Sequence, residues 1–212
     1  MALLKEPNRE RGFNKERIIR ALLNHSGSLT NHDLHESPLT KYKLTQEAGA
    51  SEPWTRQYTD RLEEEGLVQG TSVVKPRKLY EKWLDLRIEP SRLQVSLQQP
   101  MKLLQETELE YALTTYQAEN LHQGLLFKST TDFYISTEQI SKWIKIVEEE
   151  GLLGGGNTRI RVLDQHVFYN QQEKEGFTTV SIPQLILDLL DEGGPCEEAA
   201  DKLIKSFHGE PR

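Results

Sequence analysis

Residues 45–68 read TQEAGASEPWTRQYTDRLEEEGLV, and the fold of the first half turns on them. A short polar–apolar segment ends at Gly49. Ser51 then offers a side-chain oxygen to the free amides of a new helix. Pro53 falls in that helix's first turn, where a missing N–H costs nothing. Trp54, Tyr58, Leu62 and Glu65 fall on one stripe at spacings of four, four and three, with Thr55 and Thr59 beside it, while Arg56, Gln57, Asp60 and Arg61 fall mostly on other faces. Gly66 stops the helix and Leu67-Val68 starts an extended run. A short helix, a tight Gly turn, a longer helix with a polar outer face and then a strand form the pattern of a helix-turn-helix.

Downstream, Leu67 to Val74 is β-prone, Lys75-Pro76-Arg77-Lys78 reads as a basic turn, and Leu79-Tyr80 resumes the apolar pattern. A hairpin with a basic tip after such a helix resembles the wing of winged-helix proteins. That resemblance implies a helix in the DNA major groove and a hairpin along the phosphates. A basic hairpin is equally a solvated edge that blocks strand pairing.

The chain has 212 residues, room for one large or two small domains. No run approaches the ~18 apolar residues needed to span a bilayer, and the first residues carry no secretion signal. The single cysteine, Cys196, allows no internal disulfide and fits a reducing cytosol, so a cytoplasmic protein is expected. The net charge of −7 is unevenly spread: residues 1–100 carry 16 Lys+Arg against 14 Asp+Glu, and residues 101–212 carry 10 against 19. The mildly basic front half can neutralise phosphates locally, since charges beyond about 8–10 Å are screened at physiological salt. The acidic half suits a basic partner or a solvated surface.

The pattern divides the chain into a flexible leader (1–14), a winged helix-turn-helix domain (15–88), a linker with one strand (89–102) and a C-terminal mixed α/β domain (103–212). Within the first domain Ile18, Ile19, Leu22 and Leu23 mark a helix over 15–24. In the second, helices are expected over 103–121 and 138–150, from Pro183 to about Asp191, and over 196–207. Strands are expected near 125–127, 132–135, 158–163, 166–169 and 177–181. Glu148–Leu153 (EEEGLL) nearly repeats Glu63–Val68 (EEEGLV), so a second winged helix in tandem is an alternative.

Several segments of the second half resemble the antitoxin family of abortive-infection, type IV toxin–antitoxin systems. They are EYALTTYQA (110–118), TRIRVL (158–163) with Val167-Phe168, TVSIPQLILDLL (179–190) and EEAADKL (197–203), with Trp83 where the family often has a Trp after the wing. Thr115 departs from a frequent Gly, and Pro195-Cys196 from a frequent Arg-Gly. The resemblance implies an N-terminal domain that binds its own promoter and a C-terminal domain tied to neutralising a nucleotidyltransferase-like toxin. By resemblance alone, Gln184 and Asp188 stand out as partner-binding residues.

The DNA-binding set is therefore Thr55, Arg56, Gln57 and Arg61 facing the groove, with Lys75, Arg77, Lys78 and Lys43, together with Lys41, on phosphates. Arg56 and Gln57 can each pair twice with a base edge. About five phosphate contacts give a salt slope of only about −4 to −5, so two copies on repeated half-sites, a homodimer on duplex DNA, are expected. Enzymatic signals are weak, and neither a catalytic residue, a cofactor nor a metal is expected. Gly154-Gly155-Gly156-Asn157 has no following Lys-Ser/Thr and precedes a strand. Asp164 and His166 could pair as acid and base but sit at an expected turn. His32, His35 and their neighbouring carboxylates could ligate a metal or form a polar loop. The alternative functions are a winged helix used for protein assembly and an enzyme on the α/β half.

Overall fold

The computed structural model describes residues 4, 5, 7, 10–27 and 39–209. It is a mixed α+β protein that divides into two compact units. A helical unit comprises Arg9–Ile88 and Ile182–Arg212. A sheet unit comprises Met1–Asn8 and Glu89–Ser181. The expected domain of 103–212 is thus shared: its last stretch belongs with residues 9–88 in the helical unit, and the expected linker belongs to the sheet.

The helical unit begins with α1 (Glu10–His25), longer than expected, whose Ile18, Ile19, Ala21, Leu22 and Leu23 are buried. In α2 (Lys41–Ala48) the Thr40 hydroxyl accepts from the Lys43 amide, and Gly49 closes the helix at φ +57°. That left-handed conformation is one a side chain adopts only at a cost, so the glycine permits the tight turn. Next come α3 (Glu52–Glu64) and a hairpin of β1 (Val68–Gln69) and β2 (Ser72–Val73), paired Val68 to Val73 and Gln69 to Ser72. The hairpin tip is Gly70-Thr71 and carries no cation. The basic run instead opens α4 (Pro76–Asp85), with Pro76 in the first turn and Leu79, Tyr80 and Trp83 buried at helical spacing. After the sheet unit the chain returns as α8 (Ile182–Glu192) and α9 (Pro195–His208), which pack on each other, on α1 and on α4.

The sheet unit is built on seven strands in the order β6-β3-β7-β5-β4-β9-β8. They are β3 (Ser91–Leu97), β4 (Tyr111–Thr114), β5 (Thr131–Ile135), β6 (Gly151–Leu153), β7 (Thr158–Val162), β8 (Gln172–Lys174) and β9 (Phe177–Thr179). Pairing is parallel for β5–β7 and β4–β9 and antiparallel elsewhere. Connecting helices are α5 (Pro100–Glu106), α6 (Thr115–His122) and α7 (Ile140–Glu150). Trp143 of α7 packs on Phe133 with ring centroids 5.2 Å apart.

Several expectations are corrected here. The helix over 103–121 is broken by β4, whose four residues are all buried between β5 and β9. The linker strand is β3, bonded on both sides. Residues 125–127 form no strand, and 166–169 lie in a 3₁₀ turn and its cap. A second wing does not form: β6 and β7 both pair with β3 instead of with each other.

Candidate nucleic-acid interface

The orientation of α3 follows from its apolar spacing. Thr55, Tyr58, Thr59 and Leu62 are buried at the i, i+3, i+4, i+7 positions of one face. Trp54 is half-buried, stacked on Tyr58 at 6.3 Å, and Glu65 is exposed. Thr55 is therefore not a groove-facing residue. It has no exposed surface, and its hydroxyl donates to the Ser51 carbonyl at 3.1 Å. Ser51 occupies the N-cap position in extended conformation, but its side chain makes no capping bond. Arg56, Gln57 and Arg61 lie on the exposed face, as the spacing implied.

Each cation on this surface has a carboxylate beside it. Arg56 pairs with Glu52 at 3.0 Å, Arg61 with Glu65 at 3.3 Å, Lys41 with Asp60 at 2.5 Å and Lys43 with Glu47 at 3.7 Å. Glu65 also accepts from Lys82 at 2.6 Å, and that hydrogen bond, with Arg61 beside it, holds its carboxyl below the usual carboxylate range. These pairs are at least partly exposed, and such contacts contribute only ~0.2–1 kcal/mol, so a phosphate or base edge can displace the carboxylate. Over Glu52–Glu65 two arginines face five carboxylates.

Lys75, Arg77 and Lys78 occupy the N-cap and first turn of α4, away from the hairpin tip that the sequence assigned them. Cations there oppose the helix dipole. Arg77 is held by Glu81 at 3.7 Å and by Asp201 of α9 at 3.3 Å. Pro76 at the helix start was the signal for this, since proline is favoured at the first helical position.

Gln184 and Asp188 are fully buried, so neither presents a surface to a partner. They belong to a network inside the helical unit. Arg20 donates from Nε to Gln184 Oε1 at 2.9 Å, and Gln184 Nε2 donates to Asp188 Oδ1 at 3.1 Å. Arg87 donates to Asp188 at 2.6 Å and reaches Asp191 at 3.0 Å. Nearby, the Glu16 carboxylate accepts from the Ile88 amide at 2.7 Å and from Trp83 Nε1 at 3.1 Å. Burial raises the Glu16 carboxyl, opposed chiefly by Arg20. Arg20 in turn lies over the Trp83 ring at 5.1 Å.

In the sheet unit the candidate acid–base pair takes another form. The Asp164 carboxylate accepts from the backbone amide of His166, capping the turn, and the His166 ring stacks on Tyr169 at 4.8 Å. Asp132 is a further buried carboxylate. It accepts from Arg161 Nε at 2.7 Å and from Thr115 Oγ1 at 3.0 Å, and Arg159 forms an ion pair with it at 2.8 Å. Thr115 holds this bond at φ +46°, strained for a β-branched residue. Among the described residues no three His, Cys, Asp or Glu side chains are arranged to hold a metal, and no helix is long and apolar enough to cross a membrane. The candidate metal ligands His32 and His35 lie outside the described residues. No family model, curated protein or solved structure matches the chain.

Proposed function

We propose that the helical unit is a winged-helix-type module that binds duplex DNA through α3. The observation that carries this reading is the placing of Arg56 and Gln57 side by side on the exposed face of α3 while Tyr58 and Leu62 fix its other face in the core. Both side chains can form paired hydrogen bonds with base edges. Lys41, Lys43, Lys75 and Lys78 supply phosphate contacts, and the short hairpin stands where a wing would. Arg77, tied to Asp201 and Glu81, contributes little. On this reading the chain is a cytoplasmic regulator that acts as an antitoxin-like autorepressor, two copies occupying paired half-sites. The left-handed backbone of Thr115, where a glycine would be unstrained, agrees with the antitoxin resemblance, in which that position is often Gly.

Fluorescence anisotropy on the DNA upstream of its own gene tests the proposal. Binding should weaken steeply with salt, with a slope of about −4 per protein copy. Arg56→Ala should lower preference for the specific site by about 1–3 kcal/mol and leave binding to unrelated duplex nearly unchanged. Equal loss on all sequences would place Arg56 on a phosphate. The carboxylate excess on α3 favours a second reading, a module that docks on a basic protein surface. Absence of duplex binding at low salt would select it.

A further inference from the structure

We propose that one rim of the sheet unit is a surface through which two copies of this chain associate, Phe127 and Lys128 of each entering a groove between α5 and α7 of the other. This rests on the sheet unit alone and does not depend on the DNA-binding reading.

Phe127 is 92% exposed, the most exposed large apolar side chain described, and Leu125 beside it is 46% exposed. The loop that carries them is firmly held. Glu119 of α6 is fully buried, and its two carboxylate oxygens accept from the amides of Leu125 at 3.1 Å and Leu126 at 2.8 Å. Asn120 donates to the Leu126 carbonyl at 3.0 Å, and the Ser129 amide bonds to the Phe127 carbonyl at 2.8 Å. Burying a carboxylate is costly unless it is hydrogen-bonded. Here the buried carboxyl group fixes a loop whose tip is an aromatic ring in water. Such preorganisation lowers the entropy lost when an anchor is captured, and aromatic side chains dominate binding hot spots.

The same unit carries a complementary recess. A groove of about 530 Å³ is lined by Leu97 and Leu103, the amides of Gln98 and Gln99, and the carboxylates of Glu106, Glu149 and Glu150. Lys102, also in the groove, lies 3.8 Å from Glu106. Among the described residues nothing pairs with Glu149 or Glu150, and nothing pairs with Lys128. An aromatic ring followed by a cation thus meets two leucines in a largely polar groove whose Glu149 and Glu150 carboxylates offer the cation a partner.

The topology sets knob and recess side by side. Thr131, Thr158 and Val95 form one row across β5, β7 and β3. Phe127 precedes Thr131, and Leu97, paired with Gly151 of β6, follows Val95, so the chain runs past the same side of that row in both cases. Asn157 joins them: its carbonyl accepts from Thr131 N at 2.8 Å, and its side chain bonds both backbone groups of Leu97 at 2.8 and 3.1 Å. β3 and β5 flank β7, so the strands that lead to the two features are roughly two strand spacings, ~10 Å, apart. A two-fold axis through that rim brings each knob to the other copy's recess and closes the assembly at two. The contact is small, so the association belongs to the weak class.

Sedimentation of the full chain across the micromolar range tests this. A concentration-dependent dimer is expected. Phe127→Ala should raise the dissociation constant at least tenfold without lowering the melting temperature, because the side chain is 92% exposed. Lys128→Glu should weaken association severalfold, and adding Glu149→Lys with Glu150→Lys should restore it. Val74→Ser, at an exposed apolar site in the helical unit, should change nothing. A wild-type chain that stays monomeric would overturn the proposal. So would a dimer indifferent to Phe127→Ala, a charge exchange that restores nothing, or open-ended polymers.

Discussion

Removing the Asp188 carboxylate should unfold the helical unit far more readily than its size suggests. In the wild-type chain the side chains of Asp188 and Arg87 are 0% and 2% exposed and lie 2.6 Å apart. Asp188→Ala leaves the Arg87 guanidinium buried and takes an acceptor from Gln184 Nε2. Breaking one side of a buried pair costs about 3–5 kcal/mol. Asp191 still lies 3.0 Å from Arg87 Nη1, which places the expected loss near the lower figure, about 3 kcal/mol. Domains of this kind have only about 5–15 kcal/mol in total. With a urea dependence of about 1.5 kcal/mol per molar, the midpoint should fall by about 2 M. The assay is urea unfolding followed by Trp83, buried in the helical unit, in a Trp54→Phe, Trp143→Phe background so that no other indole contributes. Replacing both partners, Asp188→Leu with Arg87→Met, should recover most of the loss, because two apolar groups leave no charge stranded. A loss below about 1 kcal/mol for Asp188→Ala, or no recovery in the double variant, would refute the idea that this pair ties the segment after α4 to α8.

Two further outcomes concern the same unit. His208 Nδ1 lies 3.0 Å from the Ser26 hydroxyl and Nε2 lies 3.0 Å from the Tyr80 hydroxyl, and burial pushes the imidazole down to about 4. A depressed histidine favours its neutral form on folding. Its contribution is therefore complete above about pH 6.5 and is lost as pH falls from there toward 4, by at most about 1.4 kcal/mol per pH unit. His208→Gln should flatten that part of the stability–pH curve, a change readable by urea midpoints at several pH values. At Gly27 a Cβ would sit 2.2 Å from the Phe207 ring, so Gly27→Ala should destabilise by about 1–3 kcal/mol, with relief in Gly27→Ala, Phe207→Leu, measured by thermal melting.

What could be read from the sequence was local. Gly49, Pro53 and the alternation of buried and polar residues fixed the two helices of the turn, because capping and amphipathicity act within a few residues. Arg56 and Gln57 were assigned correctly to the exposed face for that reason, while Thr55 was misplaced by one position on the helical wheel. The basic run 75–78 was mistaken for a hairpin tip because Leu79-Tyr80 fits either a strand or a helix, and only Pro76 separates the two. The strand Tyr111–Thr114 was hidden for a different reason. It is buried on both faces, so it shows no alternation, and Leu104, Leu109, Leu113 and Tyr116 imitate a helical stripe around it. Nothing local marks Glu16 as the partner of Trp83, 67 residues away, or Arg87 as the partner of Asp188, 101 residues away. Those pairings depend on the tertiary fold, and so did the reassignment of Gln184 and Asp188 from a contact surface to an interior one.

The placing of Glu89–Ser181 between the two pieces of the helical unit has a consequence for biosynthesis. Chains are made from the N-terminus at about 5–20 residues per second, and compact regions condense as they emerge. Here α1 to α4 leave the ribosome well before the helices that bury Arg87 and Tyr80. The whole sheet unit is translated in the interval. A nascent or prematurely terminated polypeptide therefore displays α3 on a scaffold that is unfinished until α8 and α9 have been released.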